Sequence, residues 1–284
     1  VRYAILRCCI TNNFIKFYEP LTNEIFKALD IDFIDIKDFN CCGYPLQNIN
    51  QKAYLLMSAR NIALARKHNV HIFTCCSCCY GSLKKAKYIL ERDNRLKKEI
   101  DEILAKENLK ADLFVVLIRH ILEVLYSDVG IEGLLKRIKK KFNGLKVAVH
   151  YGCHILRPKG IVSFEPSKFE ELIKIIGLNP VSWSMQSECC GSPIMGIDSN
   201  LGLNLAKKKI KNAKEAGAEL LCCICPYCYF QFRKAYKVMA EENGDLLPIA
   251  LYSQLLGMCL NIDKSKLALD RIPLGTWYRH IYHL

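Results

Sequence analysis

Val70-His71-Ile72-Phe73-Thr74-Cys75-Cys76-Ser77-Cys78-Cys79-Tyr80-Gly81-Ser82-Leu83 has a counterpart 149 residues further on, Glu219-Leu220-Leu221-Cys222-Cys223-Ile224-Cys225-Pro226-Tyr227-Cys228-Tyr229-Phe230-Gln231-Phe232. In both, a short β-rich run meets adjacent cysteines, then a C-x-x-C pair and a tyrosine. Cys76 matches Cys225 and Cys79 matches Cys228, and the flanks Lys84-Lys85-Ala86 and Arg233-Lys234-Ala235 agree as well. Working outward, Cys41-Cys42-Gly43 recurs at a displacement of 148 as Cys189-Cys190-Gly191, and Cys9 recurs at 144 as Cys153. Each half therefore carries a lone cysteine, a Cys-Cys-Gly triplet and a C-x-x-C, and a fixed displacement of this kind is the signature of duplication. We divide the 284 residues into a first module with its connector (1–143), a second module (144–262) and a C-terminal tail (263–284).

Secondary structure follows the same beat. The runs Tyr3–Leu6, Asp32–Ile36 and Val70–Thr74, then Lys146–His150, Pro180–Ser184 and Glu219–Cys223, read as strands. Between them lie amphipathic stretches such as Lys52–His68 and Phe169–Ile176, with apolar residues at helical spacing. Gly81–Asn108 predicts one long helix or a helical pair, and residues 109–143 predict a helical connector in which the basic run Lys136–Lys141 is a solvated face. Strands alternating with helices predict an α/β protein of two duplicated modules related by internal pseudo-symmetry. Every cysteine group falls just after a predicted strand, at the carboxyl edge where ligands collect in open α/β sheets.

The composition is that of a folded chain: 51% hydrophobic residues, with 15 Gly and 9 Pro. Sixteen cysteines are many for this length, and they come in tight groups. Disulfides are disfavoured because the strand-like opening Tyr3-Ala4-Ile5-Leu6 lacks the pattern of a secretory signal. The longest apolar stretch, Leu113–Leu125, is broken by Arg119 and His120 and falls short of the ~20 residues that cross a bilayer. The expected location is therefore the cytoplasm, with no membrane span. The formal charge of +13 treats all thiols as neutral, and ten thiolates would bring it to +3, so the excess of cations is expected to serve a cluster site, and for Lys136–Lys141 a solvated face outweighs a nucleic-acid role.

A structural zinc takes four ligands, whereas each half offers five matched cysteines. Adjacent pairs such as Cys41 and Cys42 crowd one small ion but suit a multi-metal sulfide core with several corners. An ordinary four-cysteine cluster leaves one thiol over. The pattern points to an iron–sulfur centre of unusual ligand number, with Gly43 and Gly191 allowing a tight turn beside it. A zinc-bound scaffold stays open as the non-enzymatic alternative.

These residues resemble the cysteine-rich CCG family, which carries C-x(n)-C-C-G-x(n)-C-x-x-C in each half, as in the B subunit of heterodisulfide reductase. The likeness runs over about residues 3–260 and includes Gly152-Cys153-His154 and a late Pro248–Gly257 segment. It departs where Cys8 replaces a usual glycine and where Cys75, Cys78, Cys222 and Cys223 add thiols. The resemblance implies two noncubane [4Fe-4S] clusters, one on Cys9, Cys41, Cys42, Cys76 and Cys79, the other on Cys153, Cys189, Cys190, Cys225 and Cys228, meeting at a substrate cavity. It implies a disulfide substrate, the mixed disulfide of coenzyme M and coenzyme B, reduced to two thiols. His154 is the candidate proton donor, and Arg157, Lys159 and Lys207–Lys209 are candidates for an anion-binding wall, while His120 reads as a packed helix residue. No G-x-G-x-x-G follows a strand, so electrons have to come from partners. The resemblance implies a ferredoxin-like C subunit and a flavin-containing A subunit, with a hydrogenase or formate dehydrogenase as further candidates. Trp277, Tyr278, Ile281 and Tyr282 in the tail are candidate partner contacts. The alternative is an iron–sulfur electron-transfer subunit of another CCG-containing oxidoreductase, of the lactate, glycolate, glycerol-3-phosphate or succinate type.

Overall fold

The computed structural model describes residues 2–110, 115–162, 164–242 and 246–271. The first half runs β1 (Tyr3–Ile5), α1 (Cys9–Asn13), α2 (Tyr18–Ala28), β2 (Phe33–Ile34), α3 (Gln51–Lys67), β3 (His71–Thr74), α4 (Ser77–Leu90), α5 (Asn94–Ala105), β4 (Ile118–His120), α6 (Ile121–Glu123) and α7 (Gly130–Arg137). The second runs β5 (Lys146–His150), α8 (Cys153–Leu156), α9 (Pro166–Ile175), β6 (Asn179–Val181), α10 (Ser199–Glu215), β7 (Leu220–Cys223), α11 (Pro226–Glu241), β8 (Ile249–Leu251) and α12 (Tyr252–Cys259).

Each half holds one four-stranded parallel sheet, ordered β2-β1-β3-β4 and β6-β5-β7-β8. Tyr3 pairs with both Phe33 and His71, and Val147 pairs with both Pro180 and Leu220, so the two sheets share one register. Parallel strands need crossover helices and become buried on both faces, and β1, β5 and β7 are accordingly buried almost throughout. In the first half Phe26 stacks on Phe73 at 4.5 Å and Phe33 meets both edge-on. In the second, Phe169 lies between Tyr151 and Tyr252. The strand order places the switch point between β1 and β3, and between β5 and β7, where the connections leave in opposite directions and open a crevice. Both the lone cysteine and the C-x-x-C of each half follow those inner strands.

The expected α/β class and duplication are therefore seen, with two corrections. Residues 109–143 are not wholly helical: Ile118–His120 form β4, the outer strand of the first sheet, paired with β3. The strand is only three residues long and α6 starts directly after it, so no alternation develops that could announce it. His120 accordingly closes a strand instead of lying in a helix, though it is packed as expected, fully buried, with Nδ1 accepting from the Leu122 N–H at 3.4 Å. Gly81–Asn108 resolves into the pair α4 and α5, divided where Asp93 caps α5 by accepting from the Leu96 N–H. The Pro248–Gly257 segment supplies β8 and the start of α12.

The halves are joined by more than the connector. α2 packs on α12, and the Tyr18 hydroxyl donates to the Ile224 carbonyl at 3.0 Å. Reciprocally, α4 lies on α8 and α11 on α1. Each C-x-x-C helix thus rests on the short helix that bears the lone cysteine of the other half. No helix among the described residues is long and apolar enough to cross a membrane. The candidate contacts in the tail, Trp277, Tyr278, Ile281 and Tyr282, lie outside the described residues.

Candidate metal centre

Strand ends and helix starts aim the thiols. Cys9 and Cys153 are the first residues of α1 and α8. Cys76 and Cys225 are the extended residues that cap α4 and α11, with Cys79 and Cys228 in the first turns. The Cys-Cys-Gly triplets end in left-handed glycines, Gly43 at φ +84° and Gly191 at φ +83°. A Cβ on Gly43 would stand 2.9 Å from the Tyr54 carbonyl oxygen, and one on Gly191 2.5 Å from that of Gly202. Only glycine lets this backbone turn while pressed against α3 or α10, and the turn presents the preceding cysteines to the crevice.

The sulfurs form one continuous assembly. In the first half Cys9 interacts electrostatically with Cys41, Cys41 with Cys42 and Cys42 with Cys79, while Cys8, Cys76 and Cys79 have their sulfurs within 4.8 Å of one another. In the second half Cys153 interacts in the same way with Cys189, Cys189 with Cys190, Cys190 with Cys228 and Cys228 with Cys225. The sets touch where Cys76 Sγ lies 3.8 Å from Cys225 Sγ, and Cys78 joins that contact. All ten cysteines expected from the resemblance are thereby brought together. Of the added ones, Cys8 and Cys78 belong to the assembly, whereas Cys75 turns to Thr22 at 3.7 Å and Cys223 donates to the Ala250 carbonyl at 3.6 Å. Cys259 donates to the Ile176 carbonyl at 3.8 Å, far along the chain from the groups.

Protonation within each set is lopsided. Hydrogen bonds from Cys42 and Cys9 hold Cys41 well below the ordinary thiol range, and those from Cys153 and Cys190 do the same for Cys189. Their donors are correspondingly pushed up: Cys9 by Cys41, and Cys153 by Cys189. Crowded sulfurs that share a few protons are what a thiolate-bound metal group would replace with cations, and an all-sulfur donor set suits iron–sulfur or zinc chemistry. The residues present therefore fit such a group. Cys9 and Cys41 open onto a cavity of about 480 Å³ that Arg7, Lys37, Phe39 and Asn40 also line.

His154 spans the joint: its Nε2 lies 3.2 Å from the Tyr44 hydroxyl, with the rings edge to face at 4.9 Å. Burial lowers its pKa below the ordinary histidine value. Of the expected basic wall, Arg157 and Lys159 are exposed and Lys207 pairs with Glu242. Lys209 alone is fully buried, its Nζ donating to the Met185 carbonyl. Sequence reasoning missed Tyr44, 110 residues from its partner, although its place directly after Cys-Cys-Gly was a signal. It also missed His150, a buried ring within 4.8 Å of Cys190 and Cys228 whose two nitrogens lack hydrogen-bond partners.

Comparison with known proteins places these features in context. The cysteine-rich domain family CCG matches residues 3–84 and 147–233. The chain is 30% identical over 274 residues to the B subunit of the ferredoxin:CoB-CoM heterodisulfide reductase of Methanosarcina mazei, covering 93% of this chain and 90% of that protein. It is 32% identical over 276 residues to the 8-methylmenaquinol:fumarate reductase membrane anchor subunit of Wolinella succinogenes, covering 94% and 95%. A solved structure of a hypothetical protein from Helicobacter pylori shares the fold, with a TM-score of 0.78 at 19% identity; the match covers 95% of this chain and 51% of that one.

Proposed function

This chain belongs to the cysteine-rich CCG domain family, and from that premise we propose that it is the catalytic B subunit of a CoB–CoM heterodisulfide reductase. Cys9, Cys41, Cys42, Cys76 and Cys79 would hold one noncubane [4Fe-4S] cluster, and Cys153, Cys189, Cys190, Cys225 and Cys228 the other. Residues 1–143 and 144–262 would be the two cluster modules, with 263–284 as a tail. The observation that carries the proposal is the 3.8 Å approach of Cys76 to Cys225, which joins the two thiol sets at one place. A disulfide needs two electrons and two protons to become two thiols, and iron–sulfur groups supply electrons singly when bound, so two of them at one joint suit that reaction. The chain's own part is to bring both sets to the joint and to offer a proton there. His154 and the Tyr44 hydroxyl form a linked pair beside Cys153 that would hydrogen-bond a departing sulfur, with His154 relaying to it a proton taken up from solvent.

Electrons would enter from a ferredoxin-like C subunit and a flavin-containing A subunit, with a hydrogenase or formate dehydrogenase behind them, all in the cytoplasm. The ferredoxin in the name of the Methanosarcina mazei relative supports that direction of supply. A second reading has its own support: the Wolinella succinogenes relative, at 32% identity, is named for fumarate reduction, which would make this chain an iron–sulfur relay in another oxidoreductase.

Anaerobically purified protein separates these readings. Iron and sulfide in the proportions of two four-iron clusters are expected, and zinc without sulfide would leave only a scaffold. Oxidised protein should gain a paramagnetic signal with coenzyme M or coenzyme B, and should reduce their mixed disulfide with a viologen donor. If neither thiol perturbs the iron signal, the relay reading takes over.

A further inference from the structure

The two thiol sets are alike in sulfur but not in charge. Helices α3 and α10 correspond at the displacement of 148 that also relates the Cys-Cys-Gly triplets, and at one matched position the first has Asn61 where the second has Lys209. Both side chains are fully buried. Asn61 is a neutral clamp on the segment leading into Cys41: its Oδ1 accepts from the Asn40 N–H at 2.9 Å and its Nδ2 donates to the Asn40 carbonyl at 3.0 Å. Lys209 clamps the matching segment ahead of Cys189 through the Met185 carbonyl, but with an ammonium, which also sits 4.8 Å from the Trp183 ring. Burial lowers its pKa to about 8, and the groups that most counter this are Cys190, Cys228, Glu188 and Cys189 in that order. The second sulfur set thus has, on the segment leading into its Cys-Cys-Gly triplet, a buried amine where the first has a neutral amide.

A second asymmetry sits on the inner strands. β1 and β5 correspond at a displacement of 144, which sets Leu6 against His150. His150 reaches within 4.8 Å of Cys190 and Cys228, and neither of its ring nitrogens has another partner. The first set has a hydrocarbon at that place.

A buried cation and an N–H beside thiolate ligands stabilise the more negative, reduced state of an iron–sulfur group, because its potential responds to net charge, hydrogen bonds to sulfur and exposure. With little solvent to screen it, such a charge acts at greater strength than on the surface. We propose that Lys209, with His150, makes the second module's centre the more oxidising of the two, so that an incoming electron settles there while the first centre stays oxidised. Lys209 is a tuning residue in this role, acting through the field it exerts on Cys189, Cys190 and Cys228. The proposal rests on the iron–sulfur reading above.

Potentiometric titration of the anaerobic, cluster-loaded protein, followed by EPR and preceded by iron and sulfide analysis, tests it. Two separate reduction steps are expected. Lys209→Gln should lower the ratio of reduced to oxidised centre in the upper step about tenfold at fixed potential, about 59 mV for one electron, while Lys209→Arg keeps it. Absence of iron and sulfide from the unmodified protein defeats the iron–sulfur reading instead. Loaded protein whose centres titrate in one coincident step overturns the tuning role, even if Lys209→Gln fails to assemble. Equal movement of both steps in Lys209→Gln, or movement of neither, also overturns it.

Discussion

At the joint between the modules, two equivalent contacts are built in different ways. On one side α4 meets α8 through Gly81, where a Cβ would stand 2.9 Å from the His154 carbonyl oxygen. The backbones there are as close as packing allows, and Tyr44 and His154 meet beside them. On the other side α11 meets α1 through Phe230, the residue 149 positions after Gly81, whose ring lies 4.8 Å from that of Phe14. Here the helices are propped by aromatic rings, and a cavity of about 240 Å³ lined by Phe14, Phe17, Tyr229, Phe230, Arg233 and Lys234 lies open beside them. Duplication fixes which helices meet, because each module repeats the strand and helix that carry its thiols. Single side chains then decide how closely they meet, and the two thiol sets inherit different surroundings.

The largest expected effect probes what the modules share. Alanine at Gly191 takes on left-handed strain of about 1–2 kcal/mol and a clash with α10 of about 1–3 kcal/mol. Gly191→Ala should therefore shift the denaturant midpoint strongly. Gly43→Ala meets the Tyr54 carbonyl at a longer distance and should lose less. Unfolding of both variants, monitored by circular dichroism, measures the difference, and equal losses would mean that the triplets respond alike despite their different neighbours.

A second difference concerns protons. The two outer strands end in matched caps: the His120 N–H donates to Glu123 Oε2 at 2.8 Å, and the Leu251 N–H to Gln254 Oε1 at 3.0 Å. The first cap is ionisable and the second is not. Burial lowers the His120 pKa to about 4, below the ordinary 6.5, so the folded state keeps the ring neutral while the unfolded chain takes up a proton below about pH 6.5. Stability present above about pH 6.5 is then lost as pH falls toward 4, by about 3 kcal/mol at most. Amide exchange corrected for its intrinsic pH dependence should show protection of α6 falling over that interval while α12 holds. His120→Gln should flatten the response, and a parallel decline in α12 would dissolve the contrast.

How much of this was legible follows from where each signal is written. Covalent order carries the duplication, the α/β class and the gathering of cysteines at strand ends, since identical spacings impose identical folds on both halves. β4 was hidden because Ile118-Arg119-His120 is too short to develop a period. The partnership of Tyr44 with His154 is a contact between modules, and no local pattern encodes it. Lys209 was legible only in part. Three consecutive lysines look alike as composition, but Ala206, Lys209, Ile210 and Ala213 share one buried helical face, and that phase separates Lys209 from Lys207 and Lys208.

The smaller effects return to the joint itself. Gly81→Ala drives a methyl group into the His154 backbone, which has no flexible end to give way, and overpacking of this kind costs about 1–3 kcal/mol. It should also displace α8, and with it Cys153, so that iron retention falls along with stability. Phe230→Ala removes a tilted aromatic pair worth about 0.5–1.5 kcal/mol beyond its buried area, on the side where Phe14 is already 59% exposed. That variant should lose about 1 kcal/mol and keep its iron, because the α1 backbone is not braced on the lost ring in the way α8 is braced on Gly81. Iron content after gel filtration separates the two cases. Equal retention in both variants would show that the close and the propped contact serve the thiol sets equally, and the asymmetry of the joint would then be one of packing alone.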